Sequence, residues 1–183
     1  ITSNPLMALY FACKSNHDKV GEVIVFKVKT SHVKFFDSDT ASCLSNLARL
    51  PQQNKDQIDT TISKEDFNQS EPILRLLHFI KEEKPFFLNK IEPLDLKKII
   101  CVKSKMSNSR IISQSGAFLI FGLGAKLERD GADGISLEKI HIKASEKAKI
   151  VRELDNLNIN EQTVFPYIES SAKYISKKYG LTI

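Results

Sequence analysis

Apolar residues recur along the chain at two periods, and the alternation between them lays out the elements. Leu6, Met7, Leu9, Tyr10 and Phe11 follow Asn4-Pro5, a polar cap and a proline whose missing N–H costs nothing in a first turn, so the chain opens on a short helix. After the polar break from Ser15 to Lys19, the run Val20 to Thr30 is rich in β-branched residues and partly alternates, which predicts a strand. Ser38 and Asp39 can cap a helix reaching Leu50, with Leu44, Leu47 and Leu50 at spacing three and Pro51 as its stop. Ser70-Glu-Pro72 repeats the cap-and-proline signal ahead of Ile73, Leu76, Leu77 and Ile80, an amphipathic stripe at i, i+3, i+4, i+7. The stretch 52–70 between these helices is dominated by Gln, Asn, Asp, Thr, Ser and Lys, and its composition predicts a mobile loop anchored only at Ile58, Ile62 and Phe67.

In the second half, Lys98 to Lys103 and Ala117 to Phe121 read as strands around a glycine-bearing connection. The second is uniformly apolar and is expected at the centre of a sheet covered on both faces. Gly131 to Gly134 reads as a hairpin turn before a strand at Ile140 to Lys143. Ser145 is expected to cap a helix from Glu146 to Leu157, with Ile150, Leu154 and Leu157 inward. A last helix runs from about Pro166 to Tyr179 and stops at Gly180. Helices and strands mix without a βαβ rhythm, which argues for an α+β fold: a mixed, largely antiparallel sheet with flanking helices, in a single domain over 1–183.

Composition changes this picture little. With 42% hydrophobic residues, 7 Gly and 6 Pro the chain can build a core and is neither disordered nor fibrous. No 18 apolar residues run together, so no membrane span is expected. The opening Ile1-Thr-Ser-Asn-Pro lacks the basic-then-apolar pattern of a signal peptide and suggests a fragment. Three cysteines, Cys13, Cys43 and Cys101, form no Cys-x-x-Cys pair and have no His at ligand spacing, so they read as reduced thiols of a cytoplasmic protein, with no metal.

Charge is more telling in its distribution than in its total. Lys+Arg 27 against Asp+Glu 22 leaves +5, and Lys97, Lys98, Lys103, Lys105 and Arg110, uninterrupted by an acid, match that whole excess. The segment 97–110 is a candidate phosphate or nucleic-acid patch, although no aromatic residue is interleaved to stack bases. The chain has no Gly-x-x-x-x-Gly-Lys loop, Gly-x-Ser-x-Gly elbow or His-Glu-x-x-His pair, which removes the reaction classes those motifs serve.

Three stretches carry a family resemblance. Ile1-Thr-Ser-Asn-Pro-Leu-Met-Ala-Leu-Tyr-Phe-Ala-Cys13, Ser109-Arg-Ile-Ile-Ser-Gln-Ser-Gly-Ala-Phe-Leu-Ile-Phe121 and Gln162-Thr-Val-Phe-Pro-Tyr-Ile168 resemble, in this order, blocks of the bacterial FRG domain. The Phe-x-Arg-Gly motif that names that family, and its Thr-Arg-Leu-Leu-Asp lead-in, are absent, so the resemblance implies a domain without its N-terminal motif segment. It also implies a bacterial or phage-related, defence-type cytoplasmic protein whose activity is poorly defined. A more distant resemblance in motif order, to ADP-ribosyltransferases, implies an ADP-ribosyltransferase-like cleft and makes NAD a candidate, with the cofactor itself left unknown. In such a cleft hydroxyls at a strand end hold the ribose and a carboxylate stabilises the oxocarbenium-like centre. Here Gln114, Ser115 and Gly116 stand where that carboxylate would be.

The expectation is therefore a cleft that binds a nucleotide or nucleic-acid end, with Thr2, Ser3, Arg110 and Gln114 nearest the ligand and no catalytic residue assigned. The alternative is a non-enzymatic recognition module of a bacterial defence or regulatory protein that uses segment 97–110.

Overall fold

A computed structural model describes residues 1–180. The elements in chain order are α1 (Pro5–Cys13), β1 (Gly21–Val28), β2 (Val33–Phe35), α2 (Asp39–Asn46), α3 (Gln52–Asp56), α4 (Lys64–Gln69), α5 (Glu71–Glu83), β3 (Ile99–Lys103), α6 (Ser109–Ser113), β4 (Ala117–Phe121), β5 (Gly131–Ala132), β6 (Ile135–Ile142), α7 (Ala144–Asn156), α8 (Glu161–Val164) and α9 (Ile168–Tyr179). Helices and two small, mostly antiparallel sheets make this an α+β fold. Where the sequence suggested one domain, the chain divides into two compact units. The first comprises Ile1–Lys27, Ser104–Phe118 and Leu137–Ile183; the second comprises Val28–Lys103 and Leu119–Ser136. No helix among the described residues is long and apolar enough to cross a membrane.

The second unit is built on the stripe read from the sequence. Ile73, Leu76 and Ile80 of α5 are fully buried with Leu44 of α2, Phe67 of α4 and Ile100 of β3. Ser38 caps α2 through the Ala41 N–H, and the helix tightens into a 3-10 turn over Leu47–Arg49 before Pro51. β2 runs parallel to β3, in the register Val33↔Cys101 to Phe35↔Lys103. β4 follows β3 at the edge of that sheet, with the Gly122 N–H donating to the Lys98 carbonyl at 2.9 Å. The apolar strand expected at the centre is thus an edge strand, and Phe121 at its end remains 44% exposed. The β5–β6 turn packs onto a buried histidine: His32 Nδ1 lies 3.0 Å from the Ile99 carbonyl oxygen, and a Cβ on Gly134 (φ +71) would fall 2.6 Å from His32 Nε2.

Residues 52–70 are not the loop their composition suggested. They carry α3 and α4, and Phe67 is 1% exposed. The polar residues build structure here. Ser63 caps α4 through the Asp66 N–H. Asn68 sits buried with its amide donating to the carbonyls of Lys64 (2.8 Å) and Ile91 (2.9 Å) and accepting from the Ile91 N–H (2.8 Å). Side-chain amides that replace missing backbone partners look, in sequence, like loop residues.

In the first unit Asn4 caps α1 with Pro5 in its first turn, and α1 packs on α7. Met7, Tyr10, Leu154 and Val164 form the buried cluster. α7 begins one residue before the expected Ser145 cap, with Lys143 at the cap position, and Leu157 lies beyond its end, 62% exposed rather than inward. Lys147 is buried because its ammonium donates to the carbonyls of Ser15 (3.2 Å) and Asn16 (3.1 Å). The Tyr174 hydroxyl of α9 donates to Asp155 of α7 at 2.6 Å, and Gly180 in the left-handed conformation closes α9 as expected.

Replacing Asn68 with leucine keeps the volume and strands the Ile91 amide and carbonyl, so urea denaturation should report a loss of about 2–4 kcal/mol. A loss within experimental scatter would mean that 64–70 contributes as the plain loop its composition suggests.

Candidate functional site

The segment that precedes α1 and the turn that follows α6 are tied together by main-chain groups. Asn108 starts α6 by accepting from the N–H groups of Arg110 (2.9 Å) and Ile111 (3.4 Å). After α6 the chain reverses at Ser115, whose φ of 48° lies in the left-handed region, and enters β4. Thr2 Oγ1 donates to the Gln114 carbonyl at 2.8 Å, and the Ser3 N–H and Oγ both donate to the Ser115 carbonyl, at 2.9 and 3.2 Å. The Ile1 amine donates to the Ala117 carbonyl at 3.1 Å and the Ala117 N–H returns a bond of 3.0 Å. From the other side, Ser113 Oγ (3.1 Å) and Gln114 Nε2 (3.2 Å) both donate to the Val164 carbonyl.

Thr2, Ser3 and Gln114 are therefore neighbours, as the shared-cleft expectation demanded. The role of the two hydroxyls differs from that expectation. Both donate to backbone carbonyls, and Thr2 Oγ1 also accepts the Asn4 N–H at 3.0 Å, so they brace the turn and their donors are already in use.

Two clefts open on either side of Gln114. One, of about 470 Å³, is lined by Thr2, Ala8, Phe11, Glu22, Ile24 and Gln114 among others. The other, of about 340 Å³, is lined by Asn108, Arg110, Ile111, Gln114 and Phe118. Ile1 and Gln114 belong to both. Arg110 is exposed and makes no ion pair among the described residues. Glu22 of β1 is held by Lys139 of β6, whose Nζ lies 3.2 and 3.4 Å from its two oxygens, with His141 Nδ1 at 3.8 Å.

Glu22, Asn108 and Phe118 were invisible as site residues in the sequence. Glu22 reads as an ordinary exposed strand position, and Asn108 signals itself only as a cap. Phe11, next to the buried Tyr10, is 38% exposed and forms a cleft wall, meeting Phe165 edge to face at 5.9 Å.

The basic segment is divided between the units: Lys97, Lys98 and Lys103 in the second, Lys105 and Arg110 in the first. Lys98 is engaged with Asp95 at 2.6 Å, and Lys103 lies over the Phe35 ring at 5.4 Å, so neither is the free cation its position suggested. Lys97 and Lys105 are exposed.

Burial, with help from Asp39 and Asp95, pushes the Cys43 thiol up to about 12, and burial also raises Cys13 and Cys101. None is poised as a thiolate. Among the described residues no three His, Cys, Asp or Glu side chains gather to hold a metal ion. Comparison with protein-family models, curated proteins and solved structures gives no match for this chain.

Cys13 and Cys43 should resist Ellman's reagent at pH 8 in the folded protein and react once urea unfolds it. Modification of either at the rate of the unfolded chain would contradict the burial described here.

Proposed function

We propose that the first unit binds a nucleotide or nucleic-acid end across the two clefts at Gln114, as an FRG-type domain with an ADP-ribosyltransferase-like site would, in a cytoplasmic bacterial protein. The observation that carries this reading is Arg110: a guanidinium with no ion-pair partner among the described residues, lining a cleft whose wall is braced by residues more than 100 positions away in sequence. A guanidinium presents a planar fork of donors that matches two phosphate oxygens at once. Phe118, 49% exposed in the same cleft, offers a face on which a base can lie. Each cleft is within the size range of small-molecule sites. NAD, two nucleotides joined through a pyrophosphate, is the cofactor that two clefts sharing one wall would take. Thr2 and Ser3 act in this reading by holding Gln114 and the turn, and no catalytic residue is assigned.

The second reading, a recognition module using segment 97–110, is favoured by the exposure of Lys97 and Lys105. The two readings demand different residues. Arg110→Ala should weaken binding of NAD or AMP by about tenfold or more, the loss of one charge-assisted contact. Lys97→Ala should leave it unchanged. If Lys97→Ala and Lys105→Ala instead abolish binding to RNA or DNA, with a steep salt dependence and no effect of Arg110→Ala on nucleotides, the recognition module is the correct account.

A further inference from the structure

The two clefts at Gln114 differ in charge, and the difference orients whatever lies across them. In the larger cleft Glu22 contributes the one charged side chain among the lining residues, and in the smaller cleft Arg110 does. A phosphate is drawn to Arg110, whereas Glu22, its charge balanced by Lys139, offers carboxylate acceptors and no net attraction for an anion. The group that reaches Glu22 must then be able to donate hydrogen bonds.

We propose that Glu22 receives the 2′- and 3′-hydroxyls of a ribose, making the site selective for ligands with an intact vicinal diol. The inference rests on the nucleotide reading above and narrows it to ribonucleotides. A carboxylate offers about four acceptor positions, and the Lys139 ammonium occupies two of them. Two remain, the number a diol requires. Lys139 and His141 stand two apart on β6 and so share one face of the sheet, where Lys139 holds the Glu22 side chain and His141 Nδ1, at 3.8 Å, stays beyond hydrogen-bond distance. With Lys139 in contact, Glu22 is fixed before a ligand arrives, which lowers the entropic cost of using it. Phe11 and Ile24 give the same cleft the apolar walls that suit the carbon skeleton of a nucleoside.

The vicinal diol occurs on a free ribonucleotide and at the 3′ end of RNA. Calorimetric titration of the whole chain would use AMP, 2′,3′-dideoxy-AMP, and an RNA hexamer with either a free 3′ diol or a 3′-phosphate. The expected result is roughly ten- to a hundredfold tighter binding of AMP than of the dideoxy compound, as befits hydroxyls donating to a charged acceptor. Glu22→Gln should erase that preference, while Arg110→Ala should weaken both compounds and leave their ratio intact. A hexamer whose free-diol form outbinds both AMP and its own 3′-phosphate identifies the diol as that of an RNA end; a hexamer weaker than AMP identifies a free nucleotide. Should Glu22→Gln fail to fold by circular dichroism, the comparison of AMP with dideoxy-AMP on the unaltered protein still decides. Equal affinity for the two, with binding still lost in Arg110→Ala, overturns the role of Glu22 and leaves the nucleotide reading standing. No binding of any nucleotide overturns both.

Discussion

The first unit depends on a short run of hydrogen bonds between residues 1–3 and residues 114–117, made across 112 or more positions of sequence. Five hydrogen bonds meet there in a turn whose pivot, Ser115, holds a left-handed backbone conformation without being glycine. Such a conformation costs energy on its own and persists where surrounding bonds over-determine it. The bonds of Thr2, Ser3 and Ala117 on one side, and of Ser113 and Gln114 to Val164 on the other, supply that determination. Arg110 and Gln114 are thereby carried on a rigid support, although they lie in a five-residue helix and its exit turn, elements with little stability alone.

The same bonds reassign the hydroxyls of Thr2 and Ser3. A hydroxyl that donates to a backbone carbonyl has used its single hydrogen, and what remains for a ligand is an acceptor. Recognition then passes to the Arg110 guanidinium on one side of Gln114 and, on the other, to the acceptor positions that Lys139 leaves open on the Glu22 carboxylate. Between them lies a wall of apolar and amide groups, and a cation in one cleft against a paired carboxylate in the other makes the two unequal partners for one extended ligand.

Much of the architecture was legible because its causes are local. Asn4-Pro5, Ser38 and Gly180 mark helix ends through their own backbone preferences, and the α5 stripe follows from helical periodicity. The misreadings share a different origin. Asn68 is polar yet buried, since Ile91 and Lys64 supply its partners. Ala117 to Phe121 is apolar yet lies at a sheet edge. In each case the deciding partner is distant in sequence, and composition reports only the residue. The candidate site was legible in part: motif order suggested that Thr2, Ser3 and Gln114 converge, whereas Glu22 and Phe118 join them only through β1 and β4.

Nitrogen-15 heteronuclear NMR of the labelled chain titrated with NAD tests the central claim most directly. Ligand seated across the Gln114 clefts should shift the amides of residues 22–24 and 110–118 while those of 97–103 stay in place. Shifts confined to 97–103, or none at saturating ligand, would contradict it.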